Sequence, residues 1–269
     1  MNESDDTALR LREAYAGAGG FKSVFSPKAA DYAASRPDYP TALVATLRGE
    51  LTAGLDSRIA DVGAGTGLLT QGLLDLGCAV TSVEPNADMR AEADRRLAGR
   101  PGYRSIAGSA EALPLPDRSL DLITAAQAFH WFEIERTRAE FLRVLKPHGQ
   151  VALIWNDRVL DDPLHVALDD IFAQFGGAQR GALLAHENRA DVPRFFRHGA
   201  KRELSWPHVQ RLDQDGCVSF VFSRSYMPRR ETDAGRESER LARSVHARFA
   251  RNGFVDVPYR TVLILGRPA

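Results

Sequence analysis

The sequence predicts an α/β fold: a doubly wound, mostly parallel seven-stranded sheet with helices on both faces. Three observations carry this reading. Short apolar runs alternate with helix-patterned segments five times between residues 58 and 156. The first run, "RIADV", opens into the glycine-rich turn "GAGTG" at 63–67. An acid, Glu84, ends the second run. It stands about 20 positions beyond Gly63, the spacing at which Rossmann-like folds place the acid that binds a ribose.

Each element follows from its own residues. "TALVATLRGEL" (41–51) spaces Leu43, Val44, Leu47 and Leu51 along one helical face. "RIADV" (58–62) is a strand, and "GLLTQGLLDLG" (67–77) is a helix closed by Gly77. "CAVTSVEP" (78–85) is a strand stopped by Pro85. "NADMRAEADRRLAG" (86–99) is a helix with Asn86 as its N-cap. "YRSIAG" (103–108) is a short third strand, and "LPLPDRSLDLITAAQAF" (113–129) holds a turn and a fourth strand around Leu120–Ala125. "EIERTRAEFLRVLKPHG" (133–149) reads as a helix running to the breaker Pro147. "QVALIWN" (150–156) is the fifth strand.

Beyond Asn156 the alternation stops. "DPLHVALDDIFAQFGG" (162–177) is an amphipathic helix, and 177–200 is polar and Arg-rich with no assigned element. "KRELSWPHV" (201–209) is a strand. "LDQDGCVSFVFSRSYMP" (212–228) is a helix capped by Asp213 and stopped by Pro228. "ETDAGRESERLARSVHARFARNG" (231–253) is a charged helix, and "VPYRTVLILGR" (257–267) is the last strand. The last third is expected to complete the same sheet. The chain then forms a single domain in three parts: an N-terminal lid or cap segment (1–40), a cofactor-binding core (41–156), and C-terminal cap elements with the last strands on the substrate side (157–269).

Composition narrows the function. Lys plus Arg and Asp plus Glu are both 35, so no overall field draws in nucleic acid or an anionic membrane. No apolar run approaches the ~20 residues that span a bilayer. The opening "MNESDDTALR" lacks the basic and apolar regions of a secretory signal. Cys78 and Cys217 make neither a metal site nor a disulfide framework, and the histidines show no metal spacing. A cytoplasmic protein without a metal is expected.

The glycine turn selects a cofactor. A nicotinamide fingerprint needs its third glycine where this chain has Leu68; here Gly67 comes one residue early. Asp61, just before the turn, would repel a pyrophosphate and suits a cation or the loop amides. S-adenosylmethionine carries an ammonium and a sulfonium and no phosphate. Glu84 accepts ribose hydroxyls from either cofactor.

The run D-x-G-x-G-x-G (Asp61, Gly63, Gly65, Gly67), Glu84, "GSAEALPLPDRSLDLI" (108–123) and "VLKPHGQVAL" (144–153) together resemble the class I S-adenosylmethionine-dependent methyltransferases. The resemblance spans 59–155. It implies S-adenosyl-L-methionine as cofactor, held by Asp61, Gly63, Ala64, Gly65, Gly67, Glu84, Pro85, Ser109, Ala110, Glu111 and Gln127. The family often has Asp where this chain has Ser109, which still accepts a hydrogen bond from adenine; an ordinary turn hydroxyl is the alternative.

Three further segments, "DYAASRPDYP" (31–40), "AQAFHWFE" (126–133) and "SRSYMP" (223–228), resemble the trans-aconitate-type subgroup. That implies a small-molecule substrate methylated at a carboxylate or hydroxyl oxygen or at a nitrogen. His130 is then a general base, a hydrogen-bonding group for cofactor or substrate, or a packed structural residue. Trp131 is pocket wall or core. Tyr32 and Arg36 belong either to a lid over the cofactor or to a packed cap, whereas Tyr39 reads as packing. Arg224 and Tyr226 reach the substrate from the C-terminal part, with a surface salt bridge as the alternative for Arg224. Other chemistry on S-adenosylmethionine, a non-catalytic cofactor-binding protein, a macromolecule-modifying enzyme and an NAD-dependent oxidoreductase remain as competing functions.

Overall fold

The computed structural model describes residues 31, 35–51, 54–186, 189–199 and 201–269. Helix α1 (Thr41–Gly49) precedes strand β1 (Arg58–Val62), α2 (Leu68–Asp75), β2 (Ala79–Val83) and α3 (Ala87–Leu97). Then come β3 (Tyr103–Ile106), β4 (Leu120–Ala126), a 3-10 turn (Phe129–Trp131), α4 (Ile134–Val144) and β5 (Leu145–Arg158). The last part holds α5 (Pro163–Phe175), α6 (Gly177–His186), α7 (Asp191–Phe196), β6 (Lys201–Leu212), α8 (Gln214–Phe222), α9 (Asp233–Phe249) and β7 (Val255–Gly266).

The seven strands form one sheet in the order β3-β2-β1-β4-β5-β7-β6. β1 to β5 run parallel, and β7 is antiparallel to both β5 and β6. The order reverses at β1 and β4, which pair directly. Connections leave this switch point in opposite directions, so a crevice opens beyond the carboxyl ends of β1 and β4.

The apolar alternation of each strand builds a core on either face. Leu153, Phe129, Phe141, Phe195 and Phe196 fill one face; Leu43, Leu47, Leu73, Ala152 and Leu263 fill the other. A third cluster joins α5, α8 and α9 to the start of β7 through Phe172, Cys217, Phe220, Ala242 and Val257. Cys78 and Cys217 are both buried and unbridged.

Three expectations need correction. The helix before Pro147 stops earlier, at Val144, because Leu145 turns extended and pairs with Leu120. Pro147 lies inside β5, where the β4 register shifts between Leu120 and Leu122, and a residue without an N–H fits such an irregularity. The stretch 177–200 contains α6 and α7, and "VPRFF" belongs to α7, which buries Val192, Phe195 and Phe196. Helix α8 ends at Phe222, well short of Pro228, with Ser223 as its C-cap.

The described part of the N-terminal segment is tied down. The Gln210 amide donates to the Ser35 carbonyl at 2.8 Å, and the Asn156 amide donates to the Asp38 carbonyl at 3.0 Å. His208 pairs with Asp38 at 3.0 Å. Residues 35–40 therefore cross the ends of β5 and β6 as a cap. Tyr32 and the rest of the expected lid lie outside the described residues.

Phe195 is fully buried and meets Phe129, Phe141 and Phe196 edge to face. Phe195→Ala should lower the free energy of unfolding by about 3–5 kcal/mol, the usual cost of emptying a buried aromatic site. Urea denaturation checks this.

Candidate functional site

β1 and β2 run in parallel register to Val62 and Val83, so the glycine turn and Glu84 emerge side by side. The Gly63 and Ala64 amides both donate to the Val83 carbonyl, at 2.8 and 3.2 Å, which folds the turn back over β2. Gly63, Gly65 and Gly67 have φ of +70°, +56° and +78°, a region that side chains disfavour. At Gly63 a Cβ would stand 2.6 Å from the Ala128 Cβ.

Glu84 is 8% exposed. One carboxylate oxygen accepts from the Gly65 amide at 3.0 Å, the other from the Asn86 amide at 2.9 Å. Burial pushes its carboxyl above the ordinary value; the two amides and Arg90 pull the other way. Arg90 also donates to the Glu84 carbonyl at 2.8 Å. The carboxylate is thus held at the mouth of the crevice with acceptor capacity to spare, since each oxygen carries two lone pairs.

A cleft of about 730 Å³, open to solvent, lies along this edge. Nine of the expected residues line it: Gly63, Gly65, Glu84, Pro85, Ser109, Ala110, Glu111, Gln127 and Trp131. Asn86, Met89, Ala128 and Phe132 line it as well and were not expected there. Asn86 had been read only as a cap, and it is one, accepting from the Met89 amide at 2.9 Å. Its place directly after Glu84 was the available signal, while Ala128 and Phe132 sit within the same segment as Gln127 and Trp131.

Gln127 has φ of +54° and donates from its side chain to the Asn156 carbonyl at 3.2 Å. A non-glycine residue in this region is uncommon, and Arg118, Arg189, Arg197 and Asn252 share it. Glu111 accepts from the Glu133 amide at 3.0 Å, which ties the cleft wall to the start of α4.

Seven other expected residues stand away from the cleft lining, and Tyr32 lies outside the described residues. Asp61 is 1% exposed, and its carboxylate accepts from the Thr70 hydroxyl at 2.6 Å and the Thr124 hydroxyl at 2.8 Å. It also meets the Thr70 amide in the first turn of α2, whose N-cap, Gly67, has no side chain to do so. Asp61 organises the turn from beneath. Ala64 accepts from the Gly67 amide at 2.9 Å and forms the tip of the turn. Gly67 packs against α3: a Cβ there would lie 2.7 Å from Leu97. His130 is half-buried in the 3-10 turn, its ring 5.2 Å from that of Trp131. Arg36 donates to the Ser223 carbonyl at 3.3 Å, and Arg224 lies over the Phe220 ring at 4.4 Å. Tyr226 is 8% exposed and packs on Phe172.

The donor set discriminates between cofactors. Two acids, Glu84 and Glu111, line the cleft, and no Lys or Arg is among its lining residues. A pyrophosphate would meet repulsion here. A cationic cofactor with a ribose and a flat base would meet a carboxylate, backbone amides and an apolar wall of Met89, Ala110 and Phe132.

The protein family described as methyltransferase domain matches residues 60–153. An uncharacterized methyltransferase of Mycobacterium bovis is 31% identical over 87% of this chain and 90% of its own length. The chain belongs to the methyltransferase family. It is an S-adenosylmethionine-dependent enzyme of class I, and the fit of the cleft to a cationic cofactor agrees with that. An uncharacterized methyltransferase of Schizosaccharomyces pombe is 38% identical over half of this chain and 53% of its own. A solved structure from Anaeromyxobacter dehalogenans, proposed to be a type II methyltransferase, shares the fold with a TM-score of 0.56. It is 23% identical to the methyltransferase and covers 86% of it and 95% of its own chain. Among the described residues no helix is long and apolar enough to cross a membrane, and no His, Cys, Asp and Glu group could hold a metal ion.

Two substitutions separate the turn from its support. Gly63→Ala should weaken binding of S-adenosylhomocysteine at least ~10-fold, since the left-handed backbone alone costs about 1–2 kcal/mol with a side chain. Isothermal titration calorimetry reads this. Asp61→Ala strands two buried threonine hydroxyls at about 1–3 kcal/mol each, so unfolding free energy should fall by about 2–6 kcal/mol in urea.

Proposed function

We propose that the methyltransferase transfers the methyl group of S-adenosylmethionine to a carboxylate or hydroxyl oxygen, or to a nitrogen, of a small molecule. The observation that carries this is the acidic, cation-free cleft at the switch point, bounded by the aromatic wall of Trp131 and Phe132. The balanced charge of the chain supports a small molecule over a nucleic acid. The resemblance of residues 31–40, 126–133 and 223–228 to trans-aconitate-type enzymes is in keeping with it.

The sulfonium supplies a methyl carbon already activated for in-line displacement. The residues of the chain bind and orient. Glu84 would accept the ribose hydroxyls, with the Gly65 and Asn86 amides keeping its carboxylate in place. The Gly63 and Gly65 backbone would hold the amino-acid end of the cofactor, Met89 and Ala110 its adenine, and Ser109 would accept from the adenine amino group. Trp131 and Phe132 exclude water from the reacting atoms. When bound, the cofactor would supply a methyl to the acceptor's lone pair, and a hydroxyl or amine acceptor would release its proton. A carboxylate acceptor has no proton to lose. His130, beside Trp131 and off the cleft lining, acts in this reading by positioning that ring.

Methyl transfer from radiolabelled S-adenosylmethionine across a metabolite panel tests the proposal. Label incorporated into small oxygen or nitrogen acceptors is the expected result; label only in protein or nucleic acid would overturn it. The buried Glu84 adds a pH signature. Its carboxyl titrates above its ordinary 4.5 in the free enzyme, and ribose hydroxyls favour the ionised form. Affinity for S-adenosylhomocysteine should therefore fall as pH drops through that raised value. The free fold changes in the opposite sense: the group's contribution to stability declines as pH rises from 4.5 through the raised value. Glu84→Gln should flatten the binding profile and cost about 2–4 kcal/mol near neutral pH, from two charge-assisted bonds of about 1.5–3 kcal/mol each, partly replaced by water. Calorimetry from pH 5 to 8, about the range of physiological titration, reads both.

A further inference from the structure

A second cleft, of about 830 Å³ and open to solvent, runs along helix α2. Among the described residues it shares no lining residue with the cofactor cleft. α2 presents Leu68, Gln71, Gly72 and Asp75 to it, the i, i+3, i+4, i+7 spacing of one helical face. α1 forms the facing wall through Val44, and Arg96 of α3 supplies a third side. Gly72 brings bare backbone to the wall: a Cβ there would stand 3.3 Å from a Val44 methyl, so the two helices meet closely at this point. The apolar lining is aliphatic, made by Val44, Leu68, Leu69 and Leu76. Leu68 and Leu76 are only half-buried, so part of this surface still meets water.

One charge in this lining lacks a counter-charge. Arg96 is half-buried and donates to the Gln71 side-chain oxygen at 2.9 Å and to the Thr66 carbonyl at 3.4 Å. Both acceptors are neutral, and among the described residues no carboxylate pairs with this guanidinium. These bonds use two of its five N–H donors. The acids of the lining are engaged elsewhere. Asp75 pairs with Arg100 at 2.6 Å, and Asp38 pairs with His208 at 3.0 Å. The cleft therefore combines an aliphatic surface with a cation whose remaining donors have no acid to meet.

We propose that the cleft between α1, α2 and Arg96 is a second ligand site, separate from the cofactor cleft, for a small molecule with one carboxylate on an aliphatic body. It does not depend on which acceptor is methylated. The carboxylate takes the open N–H groups of Arg96 as charge-assisted hydrogen bonds. The body lies on Leu68, Leu69, Val44 and Leu76 and leaves water, which stabilises the complex in proportion to the apolar area covered. At 1.5 Å per residue α2 is ~12 Å long, which admits a chain of medium length. Each half needs the other. A bare anion meets a single arginine that water also reaches, and a neutral chain leaves that arginine without a counter-charge.

The test uses the full chain saturated with S-adenosylhomocysteine, so that the cofactor cleft is filled, and titrates it with octanoate by calorimetry at constant ionic strength. Octanoate is expected to bind. Acetate and octan-1-ol each carry half of its chemistry and should bind at least ~10-fold more weakly. Arg96→Met keeps an unbranched side chain and removes the charge. Leu68→Glu sets a like charge on the wall at the first position of α2, where an acid suits the helix end. Each variant should weaken octanoate at least ~10-fold, the loss expected for one charge-assisted bond, and leave S-adenosylhomocysteine affinity within about 3-fold. Retained S-adenosylhomocysteine binding also shows that a variant is folded. No octanoate binding, unaltered octanoate affinity in either folded variant, or acetate or octan-1-ol binding as tightly as octanoate would each overturn the inference. Affinity unaltered in both variants would place octanoate in the acceptor space of the cofactor cleft instead. If Arg96→Met does not fold, Leu68→Glu decides alone.

Discussion

The site depends on a buried carboxylate that stands below the cleft lining. Asp61, next to the last residue of β1, lies in the interior, where an unpartnered charge is untenable. It is tolerated because Thr124 comes from the neighbouring strand and Thr70 from the helix that follows the turn. The three residues lock β1, β4 and α2 together just below the glycines. The turn above has left-handed backbone at three positions and little side-chain mass of its own. Without a fixed base it would have many conformations and no reason to hold one.

Glu84 extends this arrangement across to β2. Its burial is as costly in kind as that of Asp61, yet its partners are backbone amides, which leave lone pairs directed at the crevice. One acid is satisfied by hydroxyls and is structural; the other is satisfied in part and is open to a ligand. Both carboxyls are pushed up by burial, and Asp61 raises Glu84 a little further. The cofactor edge is acidic, whereas the guanidinium groups of Arg36, Arg158 and Arg224 gather at the far end of β5. The acidic lining matches a cationic cofactor.

The helices after β5 make that division possible. α5, α8 and α9 pack their own apolar cluster against the start of β7 and carry Arg224, Tyr226 and His165 to the end of β5. The segment before α1 closes over them through Ser35, Arg36 and Asp38. Residues far apart in the chain thus meet around the far ends of β5 and β7.

The sequence by itself determined the repeating core. Alternating periods of apolar residues set the parallel strands, and the glycine spacing with Glu84 located the cofactor edge. These signals are local: a strand, a turn and the next strand end lie within 27 positions of one another, from Arg58 to Glu84. The direction of each side chain was not local. Asp61 and Glu84 are both acids at strand ends, and only packing decided that one meets threonines and the other faces the crevice. Helix α4 stops at Val144 because Leu145 finds Leu120 on another strand, a partner that no helical pattern reveals. Arg36 and Arg224 stand out in the sequence, whereas Arg158 looks like an ordinary charged residue when read singly. Tertiary structure brought them together, because the sheet order places β7 beside β5 and the third apolar cluster folds α8 back onto that edge.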